Sequence, residues 1–335
     1  MPDPGTAAAP MASGPLAGIR IVDFSQLLPG PLASKLLADW GAQVIRVLPP
    51  HGDLVGRMFV DEHGVPLLDE ELNANKDAIV LDLKQPGDRE RALELCRSAH
   101  AVMESSRPGV MARLGLGYEV LAAHNCALVY CSITGYGQRG VYHDRAGHDI
   151  NYLALTGLLD QTGGSGEGPA LANFPVADIL GGSMAAAARL CASLVGAMTS
   201  HKGEHLDISM TGTLRQLNLI ASIESRLANA DTRRGAGYLS GRWPCYRVYR
   251  TADNRFFAVG AMEQKFWALF CDTIGLPHLS DKGFAAGDEG RRAIEACARV
   301  FAMHPFQHWR KVFDKVDCCV TPVLTQGEAA IFFAD

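Results

Sequence analysis

Five short apolar runs, Ile19–Phe24, Val44–Val47, Ile79–Leu83, Ala101–Met103 and Ala127–Ile133, alternate with helical stretches in the first part of the chain. Strands separated by connections of this length are not joined by tight hairpins. They pair in parallel, with the intervening helices covering both faces. Pro29-Gly-Pro31 opens a helix that runs through Trp40 and is stopped by Gly41. Further helices fit Asp88–Ser98 and Tyr118–Ala123. The fold class this predicts is α/β, a parallel sheet between helices.

The pattern then changes. A long small-residue helix is expected from Ala177 to Ser200, with Gly203 breaking the chain before a strand at His205–Ile208. Another helix fits Leu214–Ala228, and the Gly-rich segment 229–242 reads as a crossing loop. Cys245–Tyr249 and Phe256–Val259 flank Thr251-Ala-Asp-Asn254, which has hairpin turn chemistry. Helices over Gln264–Ile274, Arg291–Met303 and Pro305–Val316 complete a distinct later segment.

A net charge of −5 and a pI near 6.1 exclude a chain built mainly to hold nucleic acid. Nine cysteines without a C-x-x-C pair read as buried reduced thiols. Residues 1–15 lack a basic and an apolar leader region and read as a disordered tail. The Ala177–Ser200 stretch is interrupted by Arg189 and rich in small residues, so a packed interior helix is expected, not a membrane span. The expected location is cytoplasmic, with no membrane or nucleic-acid partner.

Gly135, Gly137 and Gly140 form a G-x-G-x-x-G directly after the Ala127–Ile133 run. A dinucleotide loop must open into a helix whose N-terminus takes the pyrophosphate, with an acidic residue about 20 positions on. Val141-Tyr-His-Asp-Arg-Ala-Gly147 has neither amphipathic period nor cap, and Asp160 falls in an apparent helix. The glycines are therefore expected to form an exposed turn that delivers His148.

Gly135-Tyr-Gly-Gln138 followed by Ala146-Gly-His-Asp-Ile-Asn-Tyr152 resembles the class III CoA-transferase superfamily, and within it the α-methylacyl-CoA racemase branch. Leu16-Ala-Gly-Ile-Arg-Ile-Val-Asp-Phe24, Leu37-Ala-Asp-Trp-Gly-Ala-Gln-Val-Ile-Arg46, Ser106-Arg-Pro-Gly109, Val176-Ala-Asp-Ile-Leu-Gly-Gly182 and Val259-Gly-Ala-Met-Glu263 agree in unbroken order. The resemblance spans residues 16 to 325. It implies a Rossmann-like large domain plus a smaller α/β domain in an interlocked homodimer. On this chain the large domain covers 16–205, a linker helix 206–230 and the small domain 231–325, with the C-terminal end returning to the large domain.

Inverting the α-carbon of a thioester takes one base on each side of that carbon. The resemblance makes His148 and Asp178 those bases and Glu263 the acidic partner of the histidine. Taken alone, His148 reads as a solvated loop residue, Asp178 as a helix cap and Glu263 as a helix start. Arg46, Lys84 and Arg107 match positions that hold the CoA phosphates, and Gln26 and Tyr136 those lining the pantetheine or thioester. Departures from the family pattern are Leu48, Val141 and Phe174, with Asn173 one residue off the position of a racemase asparagine. The implied substrate is an acyl-CoA, and the chemistry needs no metal or redox cofactor. Three functions follow: a racemase or epimerase, a CoA transferase forming an anhydride on Asp178, or a CoA-binding protein with little catalysis. The intact trio His148, Asp178 and Glu263 argues against the last.

Overall fold

The structure is a computed structural model and describes residues 13–164, 166 and 168–333. The six apolar segments β1 (Arg20–Asp23), β2 (Gln43–Leu48), β3 (Asp77–Val80), β4 (Ala101–Glu104), β5 (Val129–Thr134) and β6 (His205–Ser209) form one sheet. Its order is β3-β2-β1-β4-β5-β6, and every neighbouring pair is parallel. The chain winds outward from β1 to β3 and then crosses back to β4. The winding direction therefore reverses between β1 and β4, which opens a crevice at the carboxyl ends of those strands.

Helices α1 (Pro29–Asp39), α2 (Leu67–Asn73), α3 (Pro86–Arg97), α4 (Val110–Arg113), α5 (Tyr118–His124) and α6 (Asp149–Leu155) lie between the strands, and α7 (Leu158–Gln161) follows. A π-helical segment, Ala177–Met184, runs straight into α8 (Ala185–Ser200), and α9 (Met210–Leu217) follows β6. Alternation along the strands sorts the core. Ile21, Val44, Met103, Cys131 and Ile133 pack beneath Leu37 of α1 and Ala186, Leu190 and Leu194 of α8. Val22, Val102 and Tyr130 point the other way, onto Ala92, Cys96 and Leu121 of α3 and α5. Each such fully buried aliphatic side chain contributes about 1.5–3 kcal/mol. Ala177–Ser200 is the one helix among the described residues long and apolar enough to cross a membrane by length and composition. Here its small face is buried as part of this core.

The chain divides into two compact units. The first holds the described residues up to Leu159 together with Ala172–Asn218. The second holds Asp160–Leu171 and the chain from Leu219 onward. Two boundaries read from the sequence move as a result. Residues 206–230 are not a linker helix, because β6 is an integral strand paired to β5 from Tyr130↔His205 to Thr134↔Ser209. The single helix expected over Leu214–Ala228 is two, α9 and α10 (Leu219–Ala228), parted at Asn218, whose ψ of 57° is not helical. The last described helix is grouped with the second unit. Of the expected tail over 1–15, residues 1–12 lie outside the described residues, and Gly14 O accepts the N–H of Ala17 at 3.0 Å.

The second unit carries the antiparallel sheet β7 (Tyr246–Arg250), β8 (Phe256–Gly260) and β9 (Val320–Pro322). Its helices are α10, α11 (Gln264–Thr273), α12 (Gly287–Phe301), α13 (Phe306–Phe313) and α14 (Gln326–Phe332), the last tied to β8's approach by the 2.7 Å Arg255–Glu328 ion pair. Stacked rings of Trp267, Phe270, Phe301, Trp309 and Phe313 fill its core. β9, three residues long with a terminal proline, carries too little periodicity to be found in the sequence.

Candidate active site

A pocket of about 670 Å³ opens in the first unit at the strand carboxyl ends flanking the winding reversal. It is lined by Gln26–Pro29 after β1, Ser105–Pro108 after β4 and Ile133–Tyr136 at the end of β5. His143, Arg145–His148, Asn151 and Tyr152 form a further wall, and Asp178 and Met210 also line the pocket. Sequence order places these residues far apart, and the sheet order brings them together.

The wall after β1 is built by buried charge. Asp23, fully buried at the strand end, accepts from the N–H of Ser25 at 2.8 Å and from the hydroxyls of Ser25 and Ser34. Lys76 lies 4.0 Å from it, and burial pushes its ammonium down to about 8. Leu27 adopts a positive φ of 66°, and its N–H donates to the Asp53 carboxylate at 3.0 Å. Arg46 holds that carboxylate at 3.2 Å and Asp69 at 2.9 Å, with a side chain only 5% exposed. Arg46 itself does not line the pocket. Its two terminal nitrogens pair with both carboxylates and so shape the loop that carries Gln26, while its buried Nε has no hydrogen-bond partner among the described residues.

The glycine turn leads toward His148 as the sequence suggests but is less exposed than expected, with Gly137 buried and Gly135 half-buried. A Cβ on Gly135 would lie 2.2 Å from the Tyr152 ring, and Gly137 has a φ of 87°. Neither position admits an ordinary side chain. Gln138 N–H donates to Asp207 of β6, which pins the turn, and the chain then runs through 141–147 to His148. No helix opens at the glycines, so they cradle no pyrophosphate. His148 stands exposed at the start of α6, its N–H donating to Asn151 Oδ1 at 3.0 Å.

Asp178 starts the π-helical segment, a local widening of the helix often found where function needs an unusual side-chain position. Gly181 and Gly182 permit this packing, since a Cβ on either would stand 2.9 Å from Met210 O or from Pro29. Burial, and secondly the negative charge of Asp149, push the Asp178 carboxyl up to about 6. Tyr152 is raised well above an ordinary phenol by burial and then by the Asp178 charge, so the two side chains are close neighbours.

Of the expected site residues, His148, Asp178, Gln26, Tyr136 and the exposed Arg107 line this one pocket. Lys84 is exposed beyond β3 at the sheet edge and does not line it. Glu263 belongs to the second unit, where it is the exposed residue preceding α11 and makes no side-chain capping bond. Asn173 is exposed and does not line the pocket. Sequence reasoning gave no role to Asp149, Tyr152, His143 or Arg145. Their only signal is position within or beside the Gly-His-Asp-Ile-Asn run. A second cavity of about 760 Å³, in the second unit, has Tyr246, Arg247 and Cys319 as its ionisable groups and none of the expected residues.

Glu104, at the end of β4, is 4% exposed, and burial pushes its carboxyl up to about 7 although Ser106 N–H donates to it at 2.7 Å. With the folded value above the unfolded one of 4.5, stability is fully present below the unfolded value and is lost as pH rises through about 7. The Glu104→Gln variant cannot ionise. Its Tm relative to the parent is therefore expected to become more favourable between pH 5 and pH 8, and a constant difference across that range would contradict the assignment.

A pocket at the winding reversal, lined by an imidazole and by a carboxyl that burial raises to about 6, defines an enzyme site for proton transfer or carboxylate nucleophilic chemistry. Residues 16–331 match CoA-transferase family III, and the chain belongs to that family. It is 36% identical over 313 residues to alpha-methylacyl-CoA racemase of Homo sapiens, covering 93% of this chain and 78% of that protein. It is 33% identical to acetyl-CoA:oxalate CoA-transferase of Acetobacter aceti, covering 95% and 82%. A CaiB/BaiF family protein from Brucella suis superposes with a TM-score of 0.81 at 25% identity, over 96% of this chain and 86% of that one. Membership makes the protein an enzyme of the transferase and racemase superfamily and implies an acyl-CoA substrate.

Proposed function

We propose that the protein is an acyl-CoA racemase or epimerase that inverts the α-carbon of a 2-methyl-branched acyl-CoA. The observation that carries this is the sharing of one pocket by His148 and Asp178, the latter titrating at about 6. One of the two removes the α-proton, leaving an enolate. The other returns a proton to the opposite face, so each turnover begins and ends with one proton on the pair. A carboxyl near neutrality both gives and takes a proton without a large penalty. Gln26 and Tyr136 line the thioester end, and Arg107 offers charge to the CoA phosphates. Glu263 would act on His148 as its acidic partner in the assembled homodimer. The likeness to the human racemase supports this reading.

The likeness to the oxalate transferase favours a second reading on the same pocket. There the Asp178 carboxylate attacks the thioester carbonyl, releasing CoA thiolate and forming a mixed anhydride. The acceptor carboxylate displaces the first carboxylate at the aspartyl carbonyl, and the thiolate then attacks the acceptor's acyl carbon, forming the new acyl-CoA and freeing Asp178. Incubating one enantiomer of a 2-methylacyl-CoA in deuterated water, without acceptor acid, separates the two. The expected result is deuterium at the α-carbon with loss of optical purity, reduced about 10²–10³-fold in His148→Ala. No exchange in the parent, with CoA transfer to an added carboxylate that survives His148→Ala, would replace the racemase by the transferase.

A further inference from the structure

Asp149 follows His148 and begins α6, yet its carboxylate is not used there. Its Oδ1 accepts the N–H of Ala177 at 2.6 Å and of Asp178 at 3.0 Å. Those two N–H groups open the π-helical segment and need an acceptor. The residue in the capping position, Val176, has no side-chain acceptor and is already helical at φ −61°, ψ −40°. The cap is imported from a point 28 and 29 residues earlier in the chain. A carboxylate at a helix N-terminus is favourable in itself. Here it also joins the starts of two helices, each bearing one of the groups that face the pocket.

We infer that Asp149 is a positioning residue: by capping the Asp178 helix from the start of the His148 helix, its carboxylate fixes the spacing of the two proton-transfer groups. This rests on the racemase reading of that pair. Two-base transfer tolerates little error in spacing, because a displacement of about 1 Å can cost about 10²-fold in rate. The same carboxylate places a second negative charge beside Asp178, which adds to burial in holding Asp178 protonated to higher pH. The other groups near Asp178 are consistent with that role. Tyr152 of α6 and Tyr136 of the preceding loop are neutral phenols, while His148 and Arg145 line the same pocket. Packed against the segment from α1 and α9 are Pro29, Met210 and Leu214, none of them ionisable. Asp207 of β6 is engaged with Gln138 N–H.

Two substitutions divide the roles. Asp149→Asn keeps an oxygen acceptor and removes the charge, whereas Asp149→Ala removes both. Carboxyl NMR of protein labelled at aspartate, with the Asp178 signal assigned by its loss in Asp178→Asn, gives the titration without any activity. In Asp149→Asn the Asp178 midpoint is expected below about 6, with the acid limb of α-proton exchange displaced the same way and kcat within about tenfold of the parent. In Asp149→Ala, kcat is expected to fall about 10²-fold with little change in KM, and amide hydrogen exchange at Ala177 and Asp178 to quicken. An unmoved Asp178 midpoint in Asp149→Asn, or parent kcat and amide protection in Asp149→Ala, overturns the inference. If the alanine variant does not fold, the asparagine titration decides. A parent enzyme without α-proton exchange sinks the racemase reading, and the titration and amide protection still judge the bracket.

Discussion

Asp178→Asn is expected to lower α-proton exchange and racemisation by about 10³-fold or more, toward the upper end of what one acid–base group contributes. The amide neither accepts nor returns the proton, while its size and position are those of the native side chain. The loss should not come from unfolding, and pH separates the two. The folded Asp178 carboxyl titrates at about 6, above the ordinary 3.8, so it favours folding fully only below the lower value and loses that contribution as pH rises through about 6. The asparagine variant does not ionise and is expected to be as stable as the parent, or more so, at pH 8. In the parent, exchange should fall below about pH 6 as the pair takes up a second proton. It should do so in both directions, since the equilibrium between enantiomers does not depend on pH. Stopped-assay rates and thermal melts at pH 5 and pH 8 check both. An Asp178→Asn variant that is inactive only because it melts early would remove the catalytic assignment.

The second large effect concerns Arg46. Asp53 beside it has a side chain only 1% exposed, and removal of the guanidinium leaves that carboxylate buried without its cation. Breaking a buried pair in this way costs about 3–5 kcal/mol. Arg46→Ala is therefore expected to lower the denaturation midpoint strongly, and Arg46→Lys to recover only part, because one ammonium cannot span Asp53 and Asp69 as the planar fork does. Asp53 also receives Leu27 N–H, so the loop carrying Gln26 should loosen with it. A normal melt with a raised KM for the acyl-CoA would restore Arg46 to direct phosphate contact.

The same residue shows what the sequence leaves out. Arg46 at the end of an apolar strand carries the pattern of a phosphate contact, and nothing within several residues of it announces Asp69 as a partner. Lys84 is the converse case, a matched position on the exposed edge of the sheet, away from the pocket. His148 and Asp178 could be proposed as a pair only because each sits in a run that resembles the family, since taken alone one reads as a solvated loop residue and the other as a helix cap. Asp149 was invisible, since a cap is sought within its own helix and this one serves a helix 28 residues on.

Local chemistry fixed what lies within the reach of a few residues: the alternating strands and helices, the Pro-Gly-Pro helix start, the glycine turn and the hairpin between β7 and β8. Such features follow from backbone sterics and hydrophobic periodicity, which act along the chain and are written in it. The tertiary structure alone decided the strand order β3-β2-β1-β4-β5-β6, the place of β6 within that sheet and the gathering of Gln26, Arg107, Tyr136, His148 and Asp178 around one pocket. It also decided which charges are paired off and which face that pocket. Those outcomes depend on contacts between residues tens to well over a hundred positions apart, chosen by which faces bury together.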